Sequence, residues 1–212
     1  ARVLRHGGHL TIKLPDLEAA GDSAPGSIVE LRKFDDAQGR RRVAIAARSD
    51  LAIEDQVTAS GATWLDRQAV ARDPVARGQA GFGAEVREAM DRRADRLIEQ
   101  GLAERQARGI VFASGLIGTL RQREVEALGE RLAAETGQPF NGAATGEYVA
   151  GTYRQRFALA SGRFAMIDDG LGFQLVPWTP TLEKQLGRHV SGVARADGGI
   201  DWGFGRNRGL GL

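Results

Sequence analysis

The last third of the chain sets eight cations among five aromatic side chains. Arg154, Arg156, Arg163, Lys184, Arg188, Arg195, Arg206 and Arg208 are interleaved with Tyr153, Phe164, Phe173, Trp178 and Trp202. Guanidinium groups that follow a phosphate backbone, beside aromatic faces on which bases stack, are the chemistry of single-strand nucleic-acid binding. A second reading fits the same residues: the aromatics fill a small barrel and the arginines ring it. Trp178, flanked by prolines in VPWTP, suits a core as well as a stacking platform. Arg206 and Arg208, in a glycine-rich tail, suit phosphate contact or a solvated end.

Candidates for bond-breaking chemistry are few, and no catalytic residue, metal ligand or cofactor is expected. Tyr148 and Tyr153 stand five apart in a strand-like stretch, so their rings should point to opposite faces. A phenol of ordinary pKa near ~10 is a poor nucleophile without a base or metal beside it. Histidine occurs three times, as His6, His9 and His189, and the RHGGH spacing of the first two is a turn rather than a ligand set. Asp168 and Asp169 read as adjacent turn carboxylates that diverge. The EDQ run at Glu54 to Gln56 reads as a solvated helix face. The chain has no cysteine, which excludes disulfides, thiolate metal sites and a thiol nucleophile. Phosphate-loop and nucleophile-elbow motifs are also missing.

Composition is that of a folded chain. With 212 residues, 42% of them hydrophobic and 26% charged, the protein can bury roughly 70% of its unfolded surface. Its formal net charge is only +2. Residues 1–70 carry 10 basic and 10 acidic side chains, residues 71–145 carry 11 and 11, and residues 146–212 carry 8 and 6, so the last third holds all of the excess. Only three cations are lysines; the arginine bias suits bidentate phosphate contact, and a GC-rich genome produces the same bias. No run of about 18 apolar residues and no secretory leader occurs, which points to the bacterial cytoplasm. The abrupt opening ARVLRHGG suggests a piece of a longer protein.

The elements that must position these residues predict an α+β fold in three parts. Residues 1–48 read as β-rich: HLTIKL as a strand, then SIVELRKF and RRVAIAAR as a hairpin around DDAQG, curling into a barrel-like sheet. Residues 49–138 read as helical. A short helix capped by Ser49 or Asp50 runs to Thr58 and is ended by Gly61; a second buries Trp64 and Leu65. A long helix over 82–100 turns Val86, Met90, Leu97 and Ile98 inward, with Gly101 as its C′ residue. The hairpin over 102–113 follows it as a wing follows a recognition helix; the same unit also serves as ordinary packing. A second long helix spans about 116–135. After the linker-like stretch 139–146, residues 146–212 read as five short strands with one helical turn, a small SH3-like or partly open barrel with a Gly/Arg tail.

The runs ASGRFAMIDDGLGFQLVPW, LEKQLGRHVSG and GGIDWGFGRNRGLGL carry a resemblance, supported upstream by RSDLAIEDQVTASGATWLDRQ and GFGAEVREAMDRRADRLIEQGLA. They resemble the C-terminal domain of unknown function that follows the nickase module in relaxase and mobilisation-nuclease proteins of conjugative plasmids and integrative elements. The resemblance implies a non-catalytic accessory domain of a DNA-nicking relaxase. Its partners would be single-stranded or origin duplex DNA, or the type IV secretion coupling protein and other transfer proteins.

Overall fold

The computed structural model describes residues 2, 4, 8–11 and 21–203. The protein is α+β and divides into two compact units, Ala1–Gln122 and Arg123–Leu212. The division falls inside one long helix.

In the first unit, strands β1 (Ile28–Asp35) and β2 (Arg41–Ser49) form the expected hairpin, with Phe34 opposite Arg42 and Leu31 opposite Ile45. Asp36 closes its turn by accepting from the backbone N–H groups of Gln38 and Arg40. The barrel-like curl does not form among the described residues, where this sheet has two strands only. His9 makes an isolated bridge with Arg2, and the second half of the HLTIKL stretch lies outside the described residues.

Helices α1 (Ile53–Thr58) and α2 (Trp64–Ala69) follow. The first starts later than its sequence suggests: Ala52 is the N-cap, while the Ser49 hydroxyl accepts from Leu51 N–H and Ala59 ends the helix before Gly61. The second has a full capping box, with Thr63 and Asp66 exchanging side-chain and backbone bonds. Trp64 and Leu65 are buried as expected. Helix α3 (Phe82–Glu99) buries Val86 and Leu97 completely and half-buries Met90 and Ile98, and Gly101 follows its end with φ +69°. Burying a side chain such as Leu97 stabilises the fold by roughly 1.5–3 kcal/mol. A small hairpin, β3 (Ala103–Gln106) and β4 (Gly109–Phe112), comes next. Leu97, Leu102, Leu116 and Leu120 share one core.

Helix α4 (Leu116–Thr136) begins in the first unit and ends in the second. Its Leu128 and Leu132 pack against Met166, Phe173 and Leu175 of the C-terminal sheet. The stretch after it is no linker. Asn141 N–H bonds to Phe173 C=O, Phe173 N–H bonds to Pro139 C=O, and the Phe140 ring lies 5.6 Å from that of Phe173.

The sheet of the second unit has five antiparallel strands: β5 (Tyr148–Leu159), β6 (Gly162–Asp168), β7 (Phe173–Pro177), β8 (His189–Ala194) and β9 (Ile200–Trp202). Their order is β7-β6-β5-β8-β9, and the one-turn helix α5 (Pro180–Glu183) lies between the third and fourth strands in sequence. Strands β8-β5-β6-β7 lie in Greek-key order with β9 added beyond β8, and among the described residues β7 and β9 are the two edges of the sheet. Strand β5 serves both halves: Tyr148–Thr152 pair with β8, and Thr152–Leu159 pair with β6. The change of partner needs a bend, which a bulge at Arg154 and the glycine at 151 supply. A Cβ on Gly151 would sit 2.5 Å from the Asp168 carbonyl oxygen, so β6 can approach only a glycine there. Val149, Tyr153, Ile167, Val176 and Val190 form the inner core, with Leu182 of α5 as its plug.

Candidate nucleic-acid interface

Beyond Thr152, strand β5 leaves β8 and continues with β6 and β7 alone. Alternation then sorts two faces. Phe157 and Leu159 turn toward α4 with Met166 and Leu175. The opposite face continues the inner core outward through Ala165 and Val176 and carries Arg156, Ala158, Arg163 and Trp178. Arg156 pairs with Ala165, Ala158 pairs with Arg163, and Trp178 N–H bonds to Arg163 C=O at 2.9 Å, which sets the three side chains in adjacent rows.

Trp178 is the centre of this cluster. The guanidinium carbons of Arg156 and Arg163 lie 5.0 Å and 5.4 Å from its ring centroid, within cation–π reach. Its indole N–H donates to Glu183 Oε2 at 2.5 Å, and the buried Tyr153 hydroxyl donates to the same oxygen at 2.9 Å. Arg156 Nη1 stands 3.9 Å from Glu183 Oε1. Glu183 is placed by α5, whose N-cap Thr179 accepts from Leu182 N–H. The indole is thereby fixed at its edge, while it stays half-buried.

Tyr153 is a poor nucleophile in this setting. Burial, and then its hydrogen bond to Glu183, push its phenol from 10.0 up to about 12. Tyr148, on the opposite face of the strand, is 65% exposed. Asp168 and Asp169 build the turn between β6 and β7: Asp168 accepts from Gly170 N–H, and Asp169 accepts from Leu171 and Gly172 N–H. The bond from Gly170, with Arg154 beside it, holds the Asp168 carboxyl below its ordinary range. Among the described residues no group of three or more His, Asp or Glu side chains could hold a metal ion.

The structure thus brings together Arg156, Arg163 and Trp178. Arg154 sits at the bulge and binds Asp168 instead, Nε to Oδ2 at 2.8 Å. Lys184 is exposed as the C-cap of α5. Arg188 is exposed next to the cluster, its C=O accepting from Tyr153 N–H. Arg195 pairs with Asp197 in the turn between β8 and β9. Arg206 and Arg208 lie outside the described residues. Sequence reasoning missed Glu183 and the part Tyr153 plays, although a signal existed. Glu183 is the only carboxylate between Asp169 and Asp197, and it follows an aromatic residue by five positions.

In the first unit, the helix before the small hairpin carries the wrong charge for a groove-reading element. Its exposed residues include Glu85, Glu88, Asp91, Asp95 and Glu99 against Arg92 and Arg96. Arg92 is paired with Glu54, and Arg105 of the hairpin is paired with Asp95. An acidic face repels phosphates. No helix among the described residues is long and apolar enough to cross a membrane.

No curated protein and no solved structure matches the chain. Residues 27–211 match a family described as a protein of unknown function, DUF3363, and because that match spans most of the chain, the protein belongs to this family.

Proposed function

We propose that this protein is a non-catalytic, nucleic-acid-contacting domain, the accessory part of a conjugative relaxase that helps hold DNA at the transfer origin. The observation that carries the reading is the pair of guanidinium groups over Trp178, with the indole edge held by Glu183. Exposed cations beside a fixed aromatic face bind a charged, base-bearing polymer. Lys184 and Arg188 add positive charge close by. The link to relaxases, to plasmid mobilisation and to the bacterial cytoplasm rests on the resemblance of the runs from Ala160 to Trp178, Leu182 to Gly192 and Gly198 to Leu212.

The test is fluorescence anisotropy of the full chain with a labelled oligonucleotide at about 50 mM and about 200 mM salt. Binding should weaken steeply with salt, and the double variant Arg156→Ala/Arg163→Ala should flatten the logarithmic salt slope by about 1.4, two phosphate contacts' worth on a single strand. Absence of binding with protein at roughly 10⁻⁴ M, the weak end of non-specific affinity, sinks the reading.

A second reading has its own observation. The acid-rich exposed side of α3 suits a basic protein surface, as a module recognised by the type IV secretion coupling protein would offer. A transfer assay with the 212 residues fused to a reporter decides it. A fusion that does not enter recipient cells removes this alternative.

A further inference from the structure

We propose that Trp178 is the stacking platform for one unpaired base of a single strand, with Arg156 and Arg163 on the flanking phosphates. This deepens the nucleic-acid reading above and rests on it.

Three observations select a single strand. First, the platform face is built from side chains of unequal height: exposed Ala158 lies in the row of Arg163 and two positions from Arg156, so it gives the cations a low floor, while Ala165 in the next row is buried. A flat base fits such a floor, and a stacked base pair does not expose the face that would fill it. Second, the other face of β6 and β7 is closed, because Met166, Phe173 and Leu175 pack under Leu128 and Leu132 of α4. On the inner side, where β5 runs past Thr152 without β8, Arg156 and Ala158 are exposed and Trp178 is half-buried. Third, the indole is already oriented. Its N–H is held by a carboxylate that also holds Tyr153, so stacking on it demands little further ordering.

Both guanidinium groups lie over the ring, so a base takes the place of one of them. A guanidinium stacks on a base as readily as on an indole, and the displaced side chain swings to a phosphate.

The experiment uses the full chain and three labelled probes of about fifteen nucleotides: a thymidine strand, an abasic strand with the same phosphates, and a thymidine–adenine duplex. Wild-type protein should bind the thymidine strand roughly tenfold more tightly than the abasic strand or the duplex. Trp178→Leu should erase that ratio, Trp178→Phe should keep part of it, and Arg156→Gln or Arg163→Gln should weaken all three probes together. Equal affinity of wild type for thymidine and abasic strands overturns the stacking proposal and leaves the DNA-contact reading standing. Absence of binding to every probe overturns both. If Trp178→Leu does not fold, as circular dichroism would show, the wild-type comparison of the thymidine and abasic strands still decides the matter.

Discussion

Arg93 and Asp66 form a two-pronged ion pair inside the first unit, Nε to Oδ1 and Nη2 to Oδ2 both at 2.9 Å, with side chains 2% and 0% exposed. Every remaining donor of the guanidinium has an assigned acceptor: Nη1 reaches the Ala59 and Val57 carbonyls, and Nη2 reaches the Gly61 carbonyl. Asp66 also accepts from the N–H and hydroxyl of Thr63. One side chain of α3 therefore ties down the end of α1, the loop after it and the start of α2.

Removing either partner leaves a buried charge alone, so Arg93→Ala or Asp66→Ala should lower stability by about 3–5 kcal/mol. Arg93→Lys should fall nearly as far, because a point charge cannot serve three carbonyls and both carboxylate oxygens at once. Urea unfolding measures both. A lysine variant as stable as wild type would show that the fork is not needed.

Gly129 should resist alanine. A helix-interior Gly→Ala change ordinarily stabilises by roughly 1 kcal/mol. Here a Cβ would lie 2.3 Å from the Phe140 ring, which is itself packed on Phe173. Overpacking costs about 1–3 kcal/mol and should win, so thermal unfolding of Gly129→Ala is expected below that of wild type. A rise in Tm would mean that Phe140 can move aside.

The Tyr153 phenol gives the second unit an alkaline limit. Its pKa lies at about 12 in the fold against 10.0 ordinarily, so the fold favours the neutral form. The stability linked to it is complete below pH 10 and is lost as pH rises toward 12. In a Tyr148→Phe background, absorbance of the tyrosinate should report a single late titration. Adding Glu183→Gln should bring it earlier while leaving it above 10, because burial is the larger cause. An unchanged titration would remove Glu183 from the account.

Helix α3 should be indifferent to DNA. Arg92→Ala with Arg96→Ala is expected to change oligonucleotide affinity less than twofold, since five exposed carboxylates surround these two cations. A recognition helix would instead lose about 1–3 kcal/mol per base-reading arginine. A loss of that size in anisotropy would restore the winged-helix reading.

The sequence by itself determined the elements. Strand alternation placed β1, β2 and all five C-terminal strands, and helical periodicity placed α3 and α4, because these signals arise from the burial of one face of each element. Where local chemistry competes, the reading slipped: Ser49 bonds Leu51 and caps nothing, and Ala52 starts α1. Arg93 was hidden among Arg92 and Arg96, although it occupies the apolar stripe of Val86 and Leu97 at helical spacing. Only the tertiary structure decided which arginines meet. Strand register fixes that, and register depends on the bend at Gly151 and the bulge at Arg154. Together they send Arg156 to Trp178 while Arg154 turns to Asp168. Residue types along a strand carry charge and aromaticity, but the partner across the sheet comes from chain segments whose pairing no local pattern encodes.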